Sequence, residues 1–288
     1  RAAPGPPPSH RSAAGHAAAP RENAQDHQQH YLAQEPSSTP RWWWQRQRDQ
    51  PPPRPSRKNI LFVGDSLVTG VGCDGDAGPT MPRACAEFLA RHLHVDVKWA
   101  AIGQTGADVA ELRGLLPAVG AAVTQAQEAG GQIDLVVVIC GLNDYKYAYQ
   151  GAGRTALGFK QTLSDFVAAL HHETGVGCTV VLPALPVQHA PVFSGDMPVS
   201  VGCRMLLAHV GSRWDAQKEA LARSAGRISG RISFVENKDE NGENWSAERY
   251  WARDRIHPSN LGYTVWGEHI AECIMHQGLM GGSASQLS

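Results

Sequence analysis

The chain has 288 residues, 26 Lys plus Arg against 27 Asp plus Glu, and a formal net charge of −1. That balance excludes a general electrostatic attraction to nucleic acid or to an anionic membrane. No run approaches the roughly 18–20 consecutive apolar residues of a membrane span, so a soluble protein with no transmembrane segment is expected.

Residues 1–58 are rich in Pro, Ala, Gln and Arg with almost no aliphatic periodicity, which predicts a disordered arm. Within it, Trp42, Trp43 and Trp44 lie between Arg41 and Arg46, either as a contact for a partner or interface or as a linker remnant. The arm histidines are irregularly spaced and suit solvation better than metal binding. The chain opens at Arg1 without a Met or an apolar signal core. A processed form of a secreted or organellar precursor, or a fragment, is therefore expected, and the compartment stays open.

From Asn59 onward apolar runs alternate with amphipathic stretches, enough chain for one sizeable core over residues 59–280. Residues 281–288 are expected to be a flexible tail. In chain order the pattern predicts a strand at 59–63, a helix at 82–93 with Pro near its start, and a strand at 95–101. A helix over 108–127 should kink at Gly114 and Pro117. The β-branched run 133–140 is the clearest strand, buried on both faces as parallel strands are. A helix at 155–172, a strand at 178–182, an irregular stretch at 183–202, a helix at 203–225 and a strand at 232–235 follow. Ser259 is placed to cap a last helix reaching His276. Alternating strands and helices imply a parallel sheet covered on both faces.

Polar segments follow these strands at one edge. Gly64-Asp65-Ser66 follows the first, Gly103-Gln104-Thr105-Gly106 the second, and Gly141-Leu142-Asn143-Asp144 the third. In a parallel sheet these lie together at the carboxyl edge, where open α/β folds bind ligands. Near the other end lies Asp254-Arg255-Ile256-His257-Pro258. A serine hydroxyl needs an imidazole to take its proton and a carboxylate to orient that imidazole, and Ser66, His257 and Asp254 supply all three.

Taken in order, Gly-Asp-Ser at 64–66, Gly106, Gly-Leu-Asn-Asp at 141–144 and Asp-Arg-Ile-His-Pro at 254–258 resemble the four signature blocks of the SGNH/GDSL hydrolase superfamily of esterases and lipases. The resemblance covers most of residues 59–276. It implies a flavodoxin-like three-layer α/β/α sandwich with a five-stranded parallel sheet in the order 2-1-3-4-5. It also implies a catalytic triad of Ser66 as nucleophile, His257 as base and Asp254 as orienting acid. The oxyanion hole falls on the N–H of Ser66, the N–H of Gly106 and the side-chain amide of Asn143, consistent with the need for fixed neutral donors where negative charge develops. Asp65 and Asp144 are expected to make structural hydrogen bonds. No cofactor and no metal are implied.

The activity expected is hydrolysis of carboxylic esters, lipid or small-alcohol esters first, through an acyl-enzyme. Carbohydrate O-deacetylase, thioesterase and acyltransferase activities of the same fold remain open. So does a reading of another class, a binding or scaffold protein whose Trp-bearing arm carries the function. Leu185, Val192 and Phe193 in the irregular stretch, with Tyr145 after the third block, are candidates for a substrate pocket. Tyr145, Tyr147 and Tyr149 alternate, which suits a pocket wall or ordinary core contacts equally.

Two other signals carry less. Residues 237–248 superficially fit the oxygen spacing of a calcium loop, but Asn237 and Asn244 depart from it and a strand precedes it, so a polar surface loop is expected. Cys73, Cys85, Cys140, Cys178, Cys203 and Cys273 lack metal spacing and read mostly as buried small residues, with a Cys73–Cys85 bridge conceivable.

Overall fold

The structure, a computed structural model, describes residues 11–17, 57–74, 79–149, 155–191, 201–225, 231–237 and 247–280. Its elements are β1 (Arg11–Ala17), β2 (Arg57–Gly64), α1 (Ser66–Thr69), α2 (Thr80–Leu93), β3 (Asp96–Gly103), α3 (Val109–Leu112) and α4 (Leu116–Glu128). After these come β4 (Leu135–Ile139), α5 (Leu142–Tyr149), α6 (Ala156–Thr174), β5 (Thr179–Pro183), α7 (Val201–Ala225), β6 (Arg231–Val235) and α8 (Asn260–His276). The sheet order is β1-β3-β2-β4-β5-β6. Strands β3, β2, β4, β5 and β6 run parallel, so the five expected strands take the order 2-1-3-4-5.

A sixth strand lies within the N-terminal arm. Arg11–Ala17 pairs antiparallel with β3, from Arg11 opposite Gly103 to Ala17 opposite Val97. Strand addition at an open edge needs only backbone N–H and C=O groups, so the stretch lacks the hydrophobic alternation that marks a half-buried strand. Trp42–Trp44 lie outside the described residues.

Alternation along the central strands builds the two cores. Ile60 and Phe62 of β2, with Leu135, Val137 and Ile139 of β4, face Met81, Cys85 and Leu89 of α2 and Tyr263, Trp266 and Ile270 of α8. Leu61, Val63, Val136 and Val138 face the opposite side, against Val119 and Val123 of α4, Phe159, Leu163 and Phe166 of α6, and Trp214 and Leu221 of α7. Helices thus cover both faces and form three layers. Trp266 is fully buried, and burying an aromatic side chain of this kind contributes roughly 2–3 kcal/mol.

Local signals explain most boundaries. Thr155 caps α6 by accepting from the Gly158 N–H at 3.0 Å, and Ser259 caps α8 by accepting from the Gly262 N–H at 3.2 Å. The expected break near Gly114 and Pro117 is a 3-10 turn over Arg113–Leu115, after which α4 starts with Pro in its first turn. Helix α5 was not among the predicted elements, because alternating tyrosines mask a helical period. Cys73, Cys85, Cys140, Cys178 and Cys273 are free thiols, so the conceivable Cys73–Cys85 bridge is absent. Cys85, Cys140 and Cys178 are buried, and burial pushes the Cys178 thiol up to about 11.

Candidate active site

Three strand ends and one C-terminal loop assemble the site. Ser66 opens α1 just beyond the last residue of β2, and Asp65 caps that short helix by accepting from the Leu67 N–H at 3.0 Å. The Ser66 side chain thereby stands at a strand-to-helix turn at the carboxyl edge of the sheet. Helix α8 begins at Asn260, and the loop ahead of it carries His257 back over this turn.

His257 Nε2 lies 2.9 Å from Ser66 Oγ, and His257 Nδ1 lies 2.5 Å from Asp254 Oδ2. With Nδ1–H donating to the carboxylate, the Nε2 lone pair faces the serine hydroxyl, the arrangement a general base requires. The second oxygen of Asp254 accepts the N–H groups of Ile256 at 3.0 Å and His257 at 2.9 Å. Partial burial opposes ionisation of Asp254, but these N–H groups and the imidazole outweigh it and hold the carboxyl below its ordinary value. Arg255, between acid and base, adopts φ 60°, the left-handed turn that brings both partners to one side.

The His-bearing loop is braced. Ala252 N–H donates to the His257 carbonyl at 2.8 Å, and Ser259 N–H to the Tyr250 carbonyl at 2.8 Å. Tyr263 Oη donates to the Val71 carbonyl at 2.8 Å, tying α8 to the segment after the nucleophile. Gly72 sits at φ 95° directly under this loop, where a Cβ would lie 2.7 Å from the Pro258 carbonyl and 3.1 Å from His257 Cβ. A side chain there would force the loop that carries His257 to shift.

On the opposite flank, Asn143 Nδ2 donates to the Ala107 carbonyl at 2.9 Å and to Asp65 Oδ2 at 3.3 Å, linking the turns after β2, β3 and β4. Gly106 lies at φ 85° within the turn after β3, a conformation that suits glycine. Asp144 accepts the Val109 N–H at 3.1 Å, a structural bond as expected. Asp65 is wholly buried, and burial pushes its carboxyl up to about 7.

The proposed pocket residues do not converge in the same way. Leu185 is buried in the core on the α2/α8 face of the sheet, and Tyr145 packs edge-on against Trp214 with ring centroids 5.6 Å apart. Val192 and Phe193 lie outside the described residues, as do positions 238–246 of the loop compared with a calcium site. Among the described residues, no helix is long and apolar enough to cross a membrane.

Sequence patterns missed Lys218, whose side chain is wholly buried. Its Nζ donates to the Pro183 carbonyl at 2.9 Å and to Asp215 Oδ1 at 3.0 Å. On an amphipathic helix a lysine reads as solvated, and no spacing marks it otherwise.

Comparison with known proteins agrees with the fold. The GDSL-like Lipase/Acylhydrolase family profile matches residues 62–265, and the chain belongs to that family. Among curated proteins, none matches the chain significantly. Solved structures share its fold. The lipase Lip_vut3 from a goat rumen metagenome is 16% identical with a TM-score of 0.54, covering 75% of this chain and 96% of its own. The Clostridium thermocellum family 3 carbohydrate esterase is 14% identical with a TM-score of 0.52, covering 78% and 98%. The lipase/acylhydrolase from Enterococcus faecalis is 18% identical with a TM-score of 0.51, covering 76% and 96%.

Proposed function

We propose that this hydrolase cleaves carboxylic esters through an acyl-enzyme formed on Ser66. The observation that carries the reading is the unbroken chain of hydrogen bonds from Asp254 through His257 to Ser66. In acylation, Ser66 Oγ attacks the carbonyl carbon while its proton passes to His257 Nε2. The negative charge then moves to the carbonyl oxygen, where the Ser66 and Gly106 N–H groups and the Asn143 amide receive it. Collapse of this intermediate expels the alcohol, which takes the proton from His257. Water, deprotonated by the same imidazole, attacks the acyl group and releases the acid.

Lipid or small-alcohol acyl esters are the first substrate class, supported by the apolar composition of residues 183–202. Carbohydrate O-deacetylation is the second reading, favoured by the carbohydrate esterase among proteins of the same fold. The test is labelling with a serine-reactive fluorophosphonate followed by turnover on acyl esters of graded length and on acetylated sugars. The expected result is an adduct at Ser66 that vanishes in Ser66→Ala, together with a fall in turnover of roughly 10⁴–10⁶-fold. Near-normal turnover in that variant would sink the mechanism.

A further inference from the structure

We propose that Thr105 and Thr69 form a positioning pair that fixes the Gly106 N–H relative to the nucleophile turn, so that both backbone donors meet one developing oxyanion. The inference rests on the hydrolase reading above. Thr69 stands one helical turn after Ser66, and its Oγ1 donates to the Ser66 carbonyl at 3.2 Å. A hydroxyl owns one hydrogen, so Thr105 Oγ1 is the donor in the 2.8 Å bond between the two threonines. A relay of two hydroxyls thus runs from the residue before Gly106 to the backbone of the nucleophile itself.

The turn that holds Gly106 is anchored at both ends. Gln104 N–H donates to the Gly64 carbonyl at 2.9 Å, and the Ala107 carbonyl accepts from Asn143 at 2.9 Å. Between these anchors nothing crowds Gly106, since a Cβ there would meet no atom within 4 Å. A turn bond from Ala107 N–H to the Gln104 carbonyl at 3.1 Å closes around the peptide joining Thr105 to Gly106, whose N–H is the proposed donor. Pinning the Thr105 hydroxyl restrains the backbone on one side of that peptide. On the other side, Tyr147 Oη meets the Gly106 carbonyl at 3.5 Å. The threonine bond is exposed to solvent, so water competes for it and it adds little to stability. Its effect belongs to the alignment of the oxyanion donors.

The test compares Thr105→Val, Thr105→Ser, Thr69→Val and the double valine variant. The readouts are kcat and KM on a soluble ester, the rate of fluorophosphonate labelling and the melting temperature. Expected for Thr105→Val is a loss of about three- to tenfold in kcat, matched in labelling rate, with KM and melting temperature held. Thr105→Ser should restore the rate, and the double variant should be no slower than the slower single one, because Thr105 acts through its bond to Thr69. Parental kcat in Thr105→Val, multiplying losses in the double variant, or failure of Ser to rescue would overturn the positioning role. Ser66→Ala separates the two levels. Retained turnover there removes the hydrolase reading, whereas a dead Ser66→Ala beside a fully active Thr105→Val removes only the threonine pair.

Discussion

Asn143 spans two turns with one amide nitrogen, donating to the Ala107 carbonyl at 2.9 Å and to Asp65 Oδ2 at 3.3 Å. Both hydrogens thus have acceptors before substrate arrives, and in the proposed oxyanion role the longer bond is the weaker one to give up. Burial pushes the Asp65 carboxyl up to about 7, and a protonated carboxyl accepts more weakly than a carboxylate. Asn143→Ala should lower kcat by about 10²–10³-fold. It should also lower stability by roughly 1–3 kcal/mol, because the Ala107 carbonyl and the buried Asp65 lose a donor. Kinetics at saturating ester and denaturant unfolding of the same preparation read the two effects separately. A stability loss with undiminished kcat would show a purely structural amide.

Asp65 gives a pH dependence of definite sign. Burial raises its carboxyl from 3.8 to about 7, so between those values the native state keeps a proton that the unfolded chain has released. Stability from this group therefore falls as pH rises through the window and levels off above it, by on the order of 4 kcal/mol. His171, held below its ordinary value by burial, runs the other way as it loses its proton in the unfolded chain. A difference measurement isolates Asp65. Denaturant midpoints of the parent and of Asp65→Asn, compared at pH 5 and pH 8, should show the parent losing stability relative to the variant at the higher pH. Parallel profiles would contradict the buried, raised carboxyl.

These contributions separate what was legible in the sequence from what was not. The β-branched run of β4 and the residues at the ends of β2, β3 and β4 located the carboxyl edge, because a parallel sheet converts strand ends into neighbours. Asp254 and His257 were legible only together with the Gly-Asp-Ser and Gly-Leu-Asn-Asp segments, since their spacing by itself suits the start of a helix equally. Thr69 and Thr105 were not, since a threonine hydroxyl takes its meaning from the atom opposite it and here that partner is 36 positions away. Strand β1 escaped because edge pairing is a backbone property. Leu185 is apolar and follows a strand at the carboxyl edge, and both properties serve a core position as well as a pocket wall.

Lys218 shows the same limit for a charge. Its ammonium is buried beside Asp215 and the Pro183 carbonyl, and a Cβ on Gly141, in the turn carrying Asn143, would lie 3.7 Å from Nζ. Removing the buried lysine leaves the partly exposed Asp215 and the Pro183 carbonyl without their donor, so Lys218→Met should cost about 1–3 kcal/mol. Lys218→Met with Asp215→Leu should recover part of that loss, leaving the Leu185 N–H, now paired to Asp215 at 3.4 Å, without its acceptor. The lysine also reaches the chemistry through charge. Burial is the main influence on Asp65, and the Lys218 cation opposes it by favouring the ionised form. Its loss should raise the Asp65 carboxyl further, extending the fall of stability to higher pH than in the parent. Denaturant midpoints from pH 5 to pH 9 on Lys218→Met, with and without Asp65→Asn, check the coupling. An unshifted profile would confine Lys218 to its bonds with Asp215 and Pro183.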